Sequence, residues 1–338
     1  RNRRRVRGEG SRLVWFRPGS ILCLRPMARF LIRRLWQMVP TLAGVMVLIF
    51  VLFNWVGGDP AEQLAGLIAD PVRVQEIRAS LGVDQPWWTQ LGLFARQVLT
   101  FDFGRSWATN EEVRSIFLTR LGPTLTIMLP VLVLETVLGV LLALAVARVR
   151  GTLTDRHIMI LCTVAMSISF LVYIIVFQYL FGFRLGWFPV QGWSDDPVKN
   201  LLVYAPLPVL CAVAVSLAPQ IRLYRSFCLE ELEQDYVRTA RAKGLSESAI
   251  LLRHVLRNAL IPILTHVAIH LPGVFVGSFL LEKFFSIPGL GREVITAVER
   301  SDFPVIKAVA VSLAVLTMLI NLLVDLMYRA VDPRVSYK

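Results

Sequence analysis

Apolar residues along this chain fall into long unbroken runs, not into the short alternations of a soluble fold. Six runs stand out: Phe30–Val56, Leu121–Ala147, His157–Phe181, Leu201–Ile221, Ala259–Leu281 and Val305–Tyr328. A helix needs ~20 apolar residues to cross the hydrocarbon core of a bilayer. Pro130, Pro206, Pro208, Pro219 and Pro272 lie within these runs. Proline is tolerated there because neighbouring helices re-satisfy the backbone groups it frees. The pattern predicts an all-α, polytopic membrane protein with about six transmembrane helices.

Two polar stretches interrupt the runs. Over 57–120, Gly57-Gly58-Asp59-Pro60 precedes a helix-like stretch. Leu81-Gly82-Val83-Asp84-Gln85-Pro86 then leads into a second helix from Trp87 to Leu99, with Trp88, Leu91, Leu93, Phe94 and Val98 in a loosely helical pattern. This is enough for a small helical cap outside the membrane, not a separate domain. Over 221–260, residues 227–243 read as one helix and Gly244 breaks it as a C-cap glycine would. Ser246 is a good N-cap, and Glu247 suits the first turn of a helix running to about Leu260. Thr239, Ala240 and Ala242 are small enough to let a partner approach. Arg238, Arg241 and Lys243 supply charge for docking.

Composition agrees with the membrane reading: 55% of residues are hydrophobic, 18% are charged, and the mean hydropathy is +0.60. The net charge of +12 raises nucleic acid as a partner, but its distribution argues against that. Lys and Arg crowd into 1–34, 148–156, 221–260 and 329–338 and thin out in 57–120, 182–200 and 282–305. An even number of spans puts both termini and the 221–260 loop on the first face. The positive-inside rule makes that face cytoplasmic. Residues 1–26 read as a basic tail, either disordered or upstream of a natural start at Met27. A first transmembrane helix over 27–56, an extracytoplasmic helical loop over 57–120 and a core over 121–338 follow. Cys23, Cys162, Cys211 and Cys228 imply no disulfide framework.

Five motifs together resemble one family. They are Phe30-Leu31-Ile32-Arg33-Arg34-Leu35 with Pro40-Thr41; Gly58-Asp59-Pro60-Ala61 with Leu81 to Pro86; Asp235 to Gly244 with Leu256-Arg257-Asn258-Ala259-Leu260-Ile261-Pro262; Glu282 to Gly291 followed by Asp302-Phe303-Pro304; and Asn321 to Asp325 through Tyr328 to Asp332-Pro333-Arg334. In this order they resemble permease subunits of bacterial ABC importers for dipeptides, oligopeptides and nickel. Arg238-Thr239-Ala240 and Gly244 stand where the wider superfamily has its EAA motif and following glycine. The acidic residue and first alanine are absent, which fits the peptide and nickel branch.

The resemblance implies a type I ABC importer permease fold in the bacterial inner membrane. It implies a homologous sister permease, two cytosolic ATPase subunits and an extracytoplasmic substrate-binding protein as partners, with no cofactor and no nucleic acid. It also implies that Asp235, Tyr236, Arg238, Thr239, Ala240, Arg241, Ala242, Lys243, Gly244 and Leu245 form the coupling helix that docks on an ATPase. The chain has no phosphate-binding loop of its own, so ATP hydrolysis is expected on the partners. The substrate within the class is not legible.

Other residues carry weaker signals. Glu135 lies mid-span with no cation nearby in sequence, and either lines the pathway or hydrogen-bonds a neighbouring helix. His266 and His270 share a helix face, but two histidines without a third ligand are read as helix–helix hydrogen bonding, not as a metal site. Gly273 and Gly277 form a small-xxx-small pair suited to helix packing. Asn321 and Asp325 read as interhelix contacts, and Trp87, Trp88, Trp187 and Trp193 as an aromatic belt. A stand-alone secondary transporter or channel is the competing class, but it leaves the 235–262 segment without a role. An intramembrane enzyme lacks any hydrolytic motif.

Overall fold

A computed structural model describes residues 24–56 and 84–331, with isolated positions 72, 74, 75, 78 and 79 between them. Residues 1–23 of the tail expected over 1–26, the Gly57-to-Ala61 and Leu81–Val83 motif residues and the Asp332-Pro333-Arg334 motif lie outside the described residues, while residues 24–26 open the first helix. The chain divides into two units, residues 1–43 and 44–338. The first carries the N-terminal part of helix α1, Leu24–Val51, in which Thr41 Oγ1 donates to the Gln37 carbonyl at 3.0 Å.

The described residues of the second unit are helical throughout, apart from turns and a single isolated bridge between Arg105 and Glu112. Helix α2 (Trp87–Thr100) is followed by α3 (Val113–Arg148), α4 (Leu153–Ser167), α5 (Phe170–Phe177) and α6 (Pro206–Leu232). Then come α7 (Asp235–Ala242), α8 (Glu247–Ile250), a π turn over Leu251–Val255, α9 (Leu256–Val276), α10 (Phe279–Phe284), α11 (Leu290–Glu299) and α12 (Phe303–Val331). The central packing is α3 on α6, with α9 against both and α12 against α9. Leu134, Leu141, Leu161 and Ile261 point outward and exposed, as a lipid-facing surface requires.

Five of the six apolar runs form helices long and apolar enough to span a bilayer. The third run differs. Helices over Leu153–Ser167 and Phe170–Arg184 meet at an angle of 93°. Ile168 adopts an extended backbone at the joint, and Tyr173 Oη donates to the Ala165 carbonyl at 3.1 Å. The same carbonyl also accepts the Ile168 N–H at 3.3 Å, so both bonds fix the joint at the helix end. A second correction concerns the expected single helix over 227–243. The fourth span continues to Leu232, turns at Glu233 and Gln234, and only then starts α7.

The third correction concerns Gly273 and Gly277. Among the described residues, no neighbouring atom lies within 4 Å of a Cβ built on Gly273, so it makes no close helix contact there. Gly277 ends α9 with φ +75°, a backbone region that costs other residues strain. A Cβ there would collide with the Glu282 carboxylate. This glycine ends a helix and also allows a close approach to α3, since the same Cβ would come 2.8 Å from Thr124 Cγ2.

Outside the core, α2 packs through Phe94 and Val98, and Trp87 and Trp88 stay exposed. Lys307, at the start of α12, sets its ammonium 5.4 Å from the Phe53 ring and 5.9 Å from Phe94. Two aromatic faces thus offset part of the cost of desolvating that cation.

Candidate functional site: an elbow between two spans and an intramembrane polar cavity

The first site, an elbow between the fourth and fifth spans, is built on α7. Val237 and Ala240 are spaced i, i+3, so they fall on one helix face. Both are buried in a cluster with Ala143 and Ala147 of α3, Tyr224 and Cys228 of α6, and Val255 and Ala259 at the base of α9. The opposite face is exposed: Asp235, Arg238, Thr239, Arg241, Ala242, Lys243, Gly244 and Leu245. Of the ten residues expected on the docking face, Ala240 therefore points the other way, into the core. Tyr236 is half-buried and donates its phenol to Glu231 Oε2 at 2.5 Å. Burial, and then the Glu231 carboxylate, push that phenol's pKa up.

Local chemistry fixes the shape of the elbow. Gly244 has φ +77°. The Leu245 N–H reaches the Ala240 carbonyl at 3.3 Å, the six-to-one bond of a Schellman ending. Ser246 Oγ then accepts from the Ala249 N–H at 3.4 Å and opens α8. Arg241 spans the turn, with Nε 2.7 Å from Glu247 Oε1 and Nη2 3.2 Å from Oε2. Arg150 and Glu233, 3.1 Å apart, tie the end of α3 to the end of α6. Arg225 donates to Asp155 at 2.7 Å and ties α6 to α4.

The second site lies among α3, α6 and α9. A cavity of about 260 Å³ is lined by apolar side chains, including Val131, Phe170 and Leu281, together with Glu135, Ser216, His270 and Ser278. The Glu135 carboxyl faces Ser216 and Gln220 of α6. Behind it, Tyr224 Oη and His266 Nδ1 are 3.2 Å apart, and the His266 and His270 rings lie 4.4 Å apart. The two histidines thus contact each other and α6. Among the described residues, no group of three or more His, Cys, Asp or Glu is placed to hold a metal. Gly139 makes the neighbouring helix contact possible: a Cβ there would come 2.8 Å from Gln220 Oε1 and 3.2 Å from the Tyr224 ring.

Two buried carboxylates in the motifs hold turns in place. Glu282 accepts from Thr124 Oγ1 and the Arg292 N–H, each at 2.9 Å. Asp302 accepts from Ser106 Oγ at 2.5 Å, the Trp107 N–H at 3.1 Å and the Ala108 N–H at 3.3 Å. The available signal for Glu282 was a carboxylate just before a Gly-rich turn that opens a helix, where free amides collect.

Comparison with known proteins adds the remaining evidence. Residues 136–337 match the model of the binding-protein-dependent transport system inner membrane component family, and residues 27–128 match that of the N-terminal region of such membrane components. A glutathione transport system permease protein, GsiC of Salmonella paratyphi A, is 34% identical over 312 residues, covering 92% of this chain and 100% of the relative. A protein of Sinorhizobium fredii named as a peptide ABC transporter permease, y4tP, is 35% identical over 313 residues with the same coverage. A protein of Brucella abortus named for a peptide transport system permease is 34% identical over 317 residues, again covering 92% of this chain and all of the relative.

Proposed function

The chain belongs to the family of binding-protein-dependent transport system inner membrane components and is a multi-pass permease subunit of an ABC importer, and from that premise we propose that its cargo is peptides or closely related small solutes. A homologous sister chain supplies the other half of the pathway. Two cytosolic ATPase subunits supply the energy, and an extracytoplasmic binding protein delivers the cargo. Both termini face the cytoplasm, as the basic segments favour.

The two faces of α7 carry the coupling assignment. One face is open to a partner. The other, through Val237 and Ala240, sits in the same core as α3, α6 and α9. A close-packed core transmits displacement rather than absorbing it. Movement of an ATPase against Arg238, Thr239, Ala242 and Lys243 is thus passed to three membrane helices at once.

Gentle detergent extraction of the tagged chain from its native membrane, followed by mass spectrometry, tests the assembly. Recovery of ATPase subunits, a homologous permease and a binding protein is the expected result. Recovery of the chain alone, as a monomer or homo-oligomer, would contradict it. The ligand of the recovered binding protein then tests the peptide class.

A further inference from the structure

We propose that the intramembrane cavity around Glu135 is a transit subsite for the protonated amino group of the cargo. This rests on the reading of the cargo as peptide-like. Glu135 lies near Ser216, Gln220 and His270, and no Lys or Arg pairs with it among the described residues. An ionisable side chain within a span is costly to place there. A carboxylate with no Lys or Arg beside it is matched when a cation arrives from outside. A primary ammonium is such a cation: compact, with three donors for the carboxylate and nearby hydroxyls.

The rest of the cavity fits the same guest. Ser216 and Ser278 offer hydroxyl acceptors, and His270 stands within electrostatic reach of Glu135. The remaining lining is mainly apolar, which suits a backbone stem and a side chain rather than a bare ion. The volume of about 260 Å³ is just below the ~300 Å³ at which pockets begin to enclose whole small ligands. It therefore takes one end of a peptide, not the whole molecule. The scarcity of polar groups keeps the contact weak enough for release, as passage requires.

The test uses the assembled importer in proteoliposomes. One short peptide is supplied with a free amino terminus or N-acetylated, each already bound to the binding protein. The readout is the ratio of uptake of the two forms for wild type, Glu135→Gln and Glu135→Asp. Glu135→Gln is expected to lower the ratio about tenfold, the scale of one lost charge-assisted hydrogen bond, while Glu135→Asp stays nearer wild type. An unchanged ratio in Glu135→Gln, or an equal fall for both forms, would overturn the subsite and leave Glu135 a packing residue. A wild-type importer that moves neither form would instead overturn the peptide reading, and this inference with it.

Discussion

Thr124 Oγ1 donates to Glu282 Oε1 at 2.9 Å across 158 positions of chain, and the same hydroxyl accepts the Leu290 N–H at 2.9 Å. One threonine on the second apolar run thus joins the tail of the fifth to the start of α11. Arg120 and Glu293, 3.2 Å apart, reinforce the join. Gly277, Gly289 and Gly291 surround the carboxylate so closely that a Cβ on any of them would press on it.

Glu282→Ala should therefore cost about 3 kcal/mol, because it removes charge-assisted bonds and leaves several buried donors without acceptors. Thr124→Val should cost about 1–2 kcal/mol. Apparent melting temperature in detergent checks both. Equal stability of all three proteins would contradict the clasp.

Gly277→Ala combines a steric collision with a left-handed backbone and should cost about 3 kcal/mol. Gly273→Ala meets open space and should be near neutral. Comparing the amounts of folded protein in the membrane separates these two glycines, which look alike in sequence.

Asp302 holds the turn over residues 106–109 against the start of α12. Asp302→Ala should loosen that turn and cost about 2 kcal/mol. Protease added to the face that carries this turn should then cut near Arg105 faster than it does in the wild type.

Arg225 and Asp155 are mostly buried, with side chains 18% and 10% exposed. Asp155→Ala leaves a guanidinium with its neighbour gone and should cost about 3 kcal/mol. The Arg241–Glu247 pair is 45% and 55% exposed, so its loss should cost under ~1 kcal/mol of stability. Thermal unfolding of the two single variants, Asp155→Ala and Glu247→Ala, ranks them.

The bilayer made much of the fold legible, since it demands long apolar runs and leaves little else to choose. Gly244 and Ser246 were legible because helix caps are local chemistry. The bend at Ile168 was not. Ser167-Ile168-Ser169 contains no glycine or proline, and both flanks are as apolar as a straight span. Ala240 was read as surface because a small residue in a charged segment suits docking; only its i, i+3 relation to Val237 shows which way it faces. The role of Glu282 depends on Thr124, and no local pattern links two residues so far apart. The polar partners of Glu135 lie on a different helix and were equally out of reach.

The central claim is that α7 passes ATPase movement to the spans through its exposed face. Ala242 lies on that face, away from the buried Val237 and Ala240. Ala242→Trp adds bulk where a partner must sit and none where the core packs. The decisive measurement is ATPase co-purification together with substrate uptake for this variant, at matched levels in the membrane. The account predicts a chain that reaches the membrane normally, loses its ATPase subunits and does not transport. Retained ATPases with normal uptake would contradict it.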